Sequence, residues 1–431
     1  MIYDLPVETS IRPADWTIQP LKRVADVIGG GTPDTTVAEY WNPPEIPWVT
    51  PTDITECSEP VLTQTERAIS QSGLRGSSAT LLPTGTTLLT SRATVGECRL
   101  AGLPVATNQG FASLVPKEGT DARFLFYLAQ TLKPTFVRLA AGTTFVEVSR
   151  REIRRVNVCV PSQPNERAAI GRVLTLTDEA LATAEAQHLA ARRQKVALMQ
   201  QLFTRGIPGC HHTFRNARVF RHTFEVPESW NVDPLRCSIT SVDYGTNEPS
   251  SDARHGLPVV AIPEVIAPRF RLGECSYAEV PDQEALALRL EPNDVLLIRT
   301  NGNSEYIGKS TVIGDEAAHQ HIIFASYLIR VRTNKEKASG RYLNYFLASP
   351  LGRRQCLAMA NTSAGNHNLG ARSIKQFCFP CPSPKEQEEI VGLVDSAEDA
   401  IESAQLQIAS LRRLKQALLH NLLTGRMRVR I

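Results

Sequence analysis

Residues 164–206 read PNERAAIGRVLTLTDEALATAEAQHLAARRQKVALMQQLFTRG, and residues 384–426 read PKEQEEIVGLVDSAEDAIESAQLQIASLRRLKQALLHNLLTGR. The two stretches align without a gap at a constant offset of 220 residues. About thirteen positions are identical, among them Glu166/Glu386, Ile170/Ile390, Arg192/Arg412, Lys195/Lys415, Leu202/Leu422 and Thr204/Thr424. Two unrelated polar helices would not hold one register for so long. The chain is therefore written twice.

Both stretches carry heptads. In the second, Val394, Ile401, Ile408, Lys415 and Leu422 fall seven apart, with Ile390, Ala397, Ala404, Leu411 and Leu418 as a companion stripe. In the first, the stripes are Leu174, Leu181, His188, Lys195, Leu202 and Ile170, Thr177, Ala184, Ala191, Leu198. Neither stripe is apolar enough for burial on all sides, so each helix is expected to bury its seam against the other. Small knobs such as Ala184 and Ala404 let the backbones approach closely. A helix of about 40 residues runs roughly 60 Å. Antiparallel pairing would put the globular halves at opposite ends, as a spacer with a reader at each end. Lys195 and Lys415 at matching seam positions either snorkel from the seam edge or fix register and partner choice. Pro164, Glu166, Pro384 and Glu386 are helix-start signals. Gly206-Ile207-Pro208 and Thr424-Gly425 are stops.

Working outward, smaller echoes frame the rest. Pro13-Ala-Asp-Trp16 answers Pro227-Glu-Ser-Trp230. TTLLTSRATVG from Thr86 answers DVLLIRTNGNSEYIGKS from Asp294, with Arg299 loosely opposite Arg92. FLFYLAQTL from Phe124 and YLNYFLASPL from Tyr342 both read as short amphipathic helices. The expected division is a globular domain over residues 1–160, a spacer helix over 161–208, a second globular domain over 209–381 and a second spacer helix over 382–431. The fold class is α/β of the α+β kind, with twisted, mostly antiparallel sheets separated by an antiparallel two-helix coiled coil.

The 431 residues suit two domains plus connectors. With 42% hydrophobic and 21% charged residues the chain is a globular protein, and its net charge of +3 leaves any nucleic-acid contact to local patches. No apolar run approaches about 18 residues, so no membrane span is expected. Scattered cysteines and the lack of an export-type start point to a reducing cytoplasm.

Four stretches carry a family resemblance. GGGTPDTTVAEYWNPPEIPWVTPTDI (Gly29 to Ile54) resembles the opening of target-recognition domains in specificity subunits of type I restriction-modification systems. ASYLIRVR (Ala325 to Arg332) is similar to a strand of that family. IKQFCFPCPSPKEQEEI (Ile374 to Ile390) resembles its passage into the spacer helix, and LRRLKQALLHNLLTGRMRV (Leu411 to Val429) its C-terminal helix end. The likeness covers nearly the whole chain, although QQLFTRGI in the first repeat departs from the family's helix exit. The resemblance implies that each recognition domain reads one half of a bipartite, asymmetric site in double-stranded DNA. It implies that the helices hold two modification subunits that carry S-adenosylmethionine and methylate adenine N6. In systems that cleave, two restriction subunits add ATP- and Mg-dependent action. The resemblance implies no catalysis and no cofactor in this chain.

Base readout in the major groove needs forked donors or amides, with arginine suited to guanine and asparagine or glutamine to adenine. Phosphates need cations, hydroxyls or free N–H groups. Those requirements select Arg92, Thr94, Asn108, Gln109, Arg150 and Arg151 in the first half, and Arg299, Asn301, Asn303, Lys309, Asn366 and His367 in the second. For each, a solvated or capping role competes. The run Arg150-Arg151-Glu152-Ile153-Arg154-Arg155 is the densest basic stretch.

Other motifs carry less. Asn42-Pro43-Pro44-Glu45 lacks the aromatic residue that an adenine methyltransferase stacks on a flipped base. Gly29-Gly30-Gly31-Thr32 lacks the Gly-Lys-Ser/Thr of a P-loop and reads as a mobile turn. Cys378-Phe-Pro-Cys381 has no partner pair at zinc spacing and reads as buried thiols. Cys210-His211-His212 is suggestive of metal but isolated. A protein-binding coiled-coil scaffold and a DNA methyltransferase fragment remain alternatives.

Overall fold

The computed structural model describes residues 13–141, 146–267, 270, 275–315, 320–363 and 365–430. They fall into two compact units. One gathers residues up to Ala186 with those from Gln405 onward, and the other is Gln187–Ala404. Each unit therefore contains one end of each long helix.

The first unit runs β1 (Trp16–Pro20), β2 (Ala25–Gly29), β3 (Ile46–Val49), α1 (Pro51–Glu56), β4 (Val61–Leu62), β5 (Arg67–Ile69), α2 (Gln71–Arg75), β6 (Thr87–Leu89), β7 (Cys98–Ala101), β8 (Ala106–Thr107) and β9 (Ala112–Pro116). It continues with α3 (Ala122–Thr131), α4 (Lys133–Ala140), α5 (Arg150–Arg155), β10 (Asn157–Pro161) and the long α6 (Pro164–Leu202). Its sheets order as β2–β9–β6–β7–β4, β5–β3–β8 and β1–β10.

The second unit runs β11 (Phe214–Val219), β12 (His222–Pro227), β13 (Asn231–Pro234), β14 (Ile239–Tyr244), β15 (Leu257–Val260), α7 (Ile262–Ile266), β16 (Ser276–Ala278), α8 (Asp282–Leu288), β17 (Val295–Ile298), β18 (Thr300–Asn301), β19 (Ser310–Val312), β20 (Ile323–Phe324) and β21 (Leu328–Thr333). It then has α9 (Gly340–Ala348), α10 (Pro350–Ala358), β22 (Asn361–Ser363), β23 (Asn366–Asn368), α11 (Ala371–Lys375), β24 (Cys378–Cys381) and the long α12 (Pro384–Leu423).

Its sheets order as β14–β21–β17–β19, β16–β15–β20 and β13–β24, which repeats the first unit's order except that the edge strand β4 has no counterpart. It adds the β11–β12 hairpin and a small β18–β23–β22 sheet. Most pairings are antiparallel, as expected. The exceptions are β3–β8, β4–β7 and β15–β20.

Local chemistry explains the elements that support the sheets. Asp121 accepts from the Phe124 N–H at 2.9 Å and starts α3, whose Phe124 to Ala129 are all buried. Ser339 accepts from the Tyr342 N–H at 3.1 Å and starts α9 in the same way. Such caps satisfy donors that a helix start leaves open. The first core packs α3 and the sheet with Ile170 and Leu174 of α6 and Leu422 and Leu423 of α12. The second packs α9 with Met199 and Leu202 of α6 and Ile390 and Val394 of α12. In both units the start of one long helix meets the end of the other, so the pair is antiparallel there.

The heptad residues follow a burial pattern. Leu174, Leu202, Val394, Ile408 and Leu422 are buried. Leu181, Lys195, Leu198, Ile401, Leu411, Lys415 and Leu418 are half-buried. Lys415 pairs with Asp178 at 2.7 Å, and Lys195 pairs with Glu398. Asp178 and Glu398 are themselves repeat equivalents. Each helix start is also gripped from beyond the end of the other helix. Arg428 binds Glu166 and Asp15, while His211 Nε2 lies 2.6 Å from Glu386 Oε1.

The glycine run is not a mobile turn. A Cβ at Gly30 would fall 2.1 Å from the Asn108 carbonyl oxygen, and one at Gly31 2.2 Å from Ser78 Oγ. The Trp48 indole N–H donates to the Gly31 carbonyl at 3.0 Å. Gly245 holds the equivalent crossing in the second unit, 2.2 Å from the Phe324 carbonyl oxygen by the same measure. Glycine stands there because two backbones touch.

Candidate nucleic-acid interface

In the first unit the loop after β6 meets the β8–β9 turn. Ser91 N–H donates to the Gly110 carbonyl at 2.8 Å, and Val148 N–H donates to Ser91 at 3.0 Å. This places Arg92 beside Glu147, with Arg92 Nε 2.8 Å from Glu147 Oε1. Asn108 Oδ1 accepts from the Gly110 N–H at 2.8 Å, and Thr32 bonds Gln109. Arg150 lies over Gly29, with its guanidinium 2.8 Å from where a glycine Cβ would stand. Arg151 is exposed beside it. Thr94 does not join them: its hydroxyl is buried and finds no partner among the described residues.

The α5 helix forms because Ser149 and Glu152 close a capping box, with Ser149 Oγ accepting from Glu152 N–H at 3.1 Å. Arg154 donates to the Val27 carbonyl at 2.7 Å, which fixes the helix on β2. The basic run thus has a folded address rather than floating in solvent.

In the second unit, β18 pairs with β23 so that Asn301 faces His367 and Thr300 faces Asn368. Asn366 sits over Gly302, where a Cβ would be 3.7 Å from Asn366 Oδ1. Asn301 Oδ1 accepts from Asn303 N–H at 2.8 Å, and Asn303 Oδ1 from Glu305 N–H at 2.9 Å. Arg299 donates to the Ser326 carbonyl at 3.0 Å and lies over the Tyr244 ring at 4.8 Å. Lys309 lies over Tyr306. Arg299, Asn301, Asn303, Asn366 and His367 come together around this small sheet, with Lys309 at the end of the same loop.

Backbone bonds set the correspondence between units. Thr90 N–H bonds Glu97 as Ile298 bonds Lys309, and Leu369 N–H bonds Arg299 as Val148 bonds Ser91. Arg299 therefore corresponds to Ser91, and Arg92 to Thr300. The loose pairing of Arg92 with Arg299 was one residue out: with the preceding strands in register, Ser91 falls opposite Arg299.

The structure adds residues that the sequence did not single out. Arg67 lies over Trp41 at 3.9 Å, and Trp41 meets Trp48 edge-on at 5.2 Å. Only the β3–β5 register, which sets Trp48 opposite Arg67, brings them together. Tyr244 is likewise joined to Arg299 by tertiary structure alone.

Tyr127 and Tyr345 tie the helix pair to the units. Tyr127 donates to Asp178 at 2.8 Å, and Tyr345 to Asp395 at 2.5 Å and Glu398 at 3.1 Å. Burial, with the carboxylates beside them, pushes both phenols above their usual range. They are donors at any ordinary pH.

Among the described residues no group of three or more His, Cys, Asp or Glu side chains is placed to hold a metal. His211 is engaged by Glu386 instead. Cys378 and Cys381 are half-buried rather than buried, and burial pushes the Cys378 thiol up to about 11. Asn42 to Glu45 are exposed except for the half-buried stem before them. No helix among the described residues is long and apolar enough to cross a membrane.

A family model described as the type I restriction modification DNA specificity domain matches residues 13–191. The type I restriction enzyme MjaIX specificity subunit of Methanocaldococcus jannaschii is 27% identical over 428 residues, covering 97% of this chain and 94% of that protein. The HsdS subunit crystal structure from Thermoanaerobacter tengcongensis shares the fold with a TM-score of 0.51 at 16% identity, covering 96% of this chain and 98% of that one. A chain solved in work on assembly and conformational transition of the type I R-M system matches with a TM-score of 0.59 at 17% identity, over 96% of this chain and 99% of that one. A doubled sheet frame, doubled helix ends and a near full-length alignment agree: residues 13–191 match the type I DNA specificity domain, and the chain as a whole is similar to the specificity subunits of type I restriction-modification systems.

Proposed function

We propose that this chain reads the two unlike halves of one DNA site and directs adenine-N6 methylation by two modification subunits that carry S-adenosylmethionine. Specificity subunits are the non-catalytic, DNA-recognising members of type I systems. Where restriction subunits join the complex, with ATP and Mg, the same reading directs cleavage. The chain itself contributes placement.

One observation carries this reading. Apart from the edge strand β4, the two units share one strand order but carry different side chains on equivalent loops. Asn108-Gln109 on the β8–β9 turn corresponds to Ala325-Ser326, and Ser91 corresponds to Arg299. One frame bearing two different reading surfaces suits an asymmetric bipartite site, whereas identical surfaces would suit a palindrome. The domain limits 1–160, 161–208, 209–381 and 382–431 belong to the same proposal, as does each half's set of DNA-contacting residues.

Mapping methylated adenines genome-wide, with and without this gene, tests it. The expected result is one motif with two unlike halves at a fixed gap, lost without the gene. A palindromic motif, or methyl transfer by the purified chain alone, would overturn it. Absence of salt-sensitive DNA binding by the assembled complex would favour a protein-only scaffold.

A further inference from the structure

Three asparagines at the two proposed reading surfaces share one constraint. Asn108 Oδ1 accepts from Gly110 N–H at 2.8 Å, Asn301 Oδ1 from Asn303 N–H at 2.8 Å, and Asn303 Oδ1 from Glu305 N–H at 2.9 Å. Each is the local turn in which an asparagine oxygen accepts from the backbone two residues on. A backbone N–H can only donate, so these bonds fix which end of each carboxamide is oxygen. The Nδ2 hydrogens are the groups left to meet a ligand. Gln109 beside it bonds the Thr32 hydroxyl, a partner that can donate or accept and so leaves either end of that amide free to face out. Lys309 in the second loop and Arg150 beside the first are donors by nature.

Adenine presents an acceptor, N7, next to a donor, N6, and an amide reads it with oxygen and nitrogen together. Guanine presents two adjacent acceptors, N7 and O6. A carboxamide whose oxygen is turned into its own loop presents its Nδ2 donors outward, and two donor hydrogens match guanine's paired acceptors better than adenine's acceptor–donor pair. We propose that Asn108 in the first unit, and Asn301 and Asn303 in the second, are preset as donors and read the acceptor edge of guanine in their respective half-sites. This rests on the DNA-reading function proposed above and adds the identity of the contacted base. The loop 299–308 is longer than its counterpart 91–96 and gives β18 to the added β18–β23–β22 sheet, so a specificity difference between units is expected there.

The test uses the specificity subunit assembled with its modification partners and duplexes carrying the mapped methylation motif. With the wild-type complex, replacing guanines of each half-site one at a time with 7-deazaguanine removes the N7 acceptor. At least one such replacement in each half is expected to weaken binding roughly tenfold or more. Asn108→Asp and Asn301→Asp keep the turn, because aspartate accepts from the same backbone N–H, but they replace the outward donor with an acceptor. Each is expected to weaken cognate binding about ten- to a hundredfold. N108D should relax the motif only at guanines of the first half, and N301D only at those of the second. If 7-deazaguanine is harmless throughout, or if the aspartate variants bind the cognate site unchanged, the donor assignment is wrong while the DNA-reading function stands. If the wild-type complex shows no sequence preference at all, both are overturned.

Discussion

Tyr127–Asp178–Lys415 in the first unit and Tyr345–Glu398–Lys195 in the second are one knot tied twice, and they differ in what surrounds them. Both join a recognition unit to the antiparallel helix pair. In the first, Asp178 is 8% exposed and serves both the tyrosine and the lysine. In the second, Glu398 is 34% exposed and Asp395 shares the tyrosine. Duplication copied the frame, and each copy then met its polar requirements differently. The loops that hold the proposed DNA-contacting residues differ for the opposite reason. They carry little of the frame, so length and side chain are free to change where the DNA site demands it.

The largest effect should separate the two knots. Asp178→Ala leaves a buried phenol and a half-buried lysine without their partner and should cost about 3 kcal/mol. Glu398→Ala should cost about 1 kcal/mol, since Tyr345 keeps Asp395 and Glu398 is itself nearer solvent than Asp178. Denaturant unfolding of both variants checks this, and equal losses would mean that the knots are equivalent. Next come the glycine crossings. Gly30→Ala and Gly245→Ala each drive a methyl into a neighbouring carbonyl and should each cost about 1–3 kcal/mol. Here the two units should agree, and a loss in one alone would break the shared frame.

A smaller contrast lies at the paired tryptophans. Trp230 Nε1 donates to Glu386 Oε2 at 3.0 Å, whereas Trp16 Nε1 is buried with no partner among the described residues. Trp230→Phe should therefore be more destabilising than Trp16→Phe by about 1 kcal/mol, readable as a difference in denaturation midpoint. The smallest change is expected from a single cation. Arg151→Gln on α5 should lower the slope of log affinity against log salt by about 0.9 if that guanidinium holds one phosphate. Titration of the assembled complex at several salt concentrations measures it. An unchanged slope would mean that the basic helix of the first unit faces solvent and not DNA.

Much of the frame was legible in the sequence. A repeat at constant offset exposes duplication directly, and apolar residues seven apart announce a helix seam whatever surrounds it. Leu174, Leu202, Val394 and Leu422 are buried because any helix of that pattern must hide that stripe. The reading surfaces were only half legible. Residue type suggested Asn301 and His367, but their meeting depends on the β18–β23 register. Arg92 and Arg299 were set loosely opposite each other because both follow an apolar strand; the ladder bonds shift the match by one residue, to Ser91. Thr94 looked available until its hydroxyl proved to point inward.

The sequence by itself determined that there are two units, that two long helices share a seam, and which residue chemistry was on hand, because periodicity and repetition are properties of one dimension. Only the tertiary structure decided what that chemistry can do. It paired Lys415 with Asp178 and Lys195 with Glu398, closed Gly30 against a backbone, and turned the oxygens of Asn108, Asn301 and Asn303 into their own loops. Hydrogen bonds are directional and short, so which end of an amide faces out is settled by its neighbours in space.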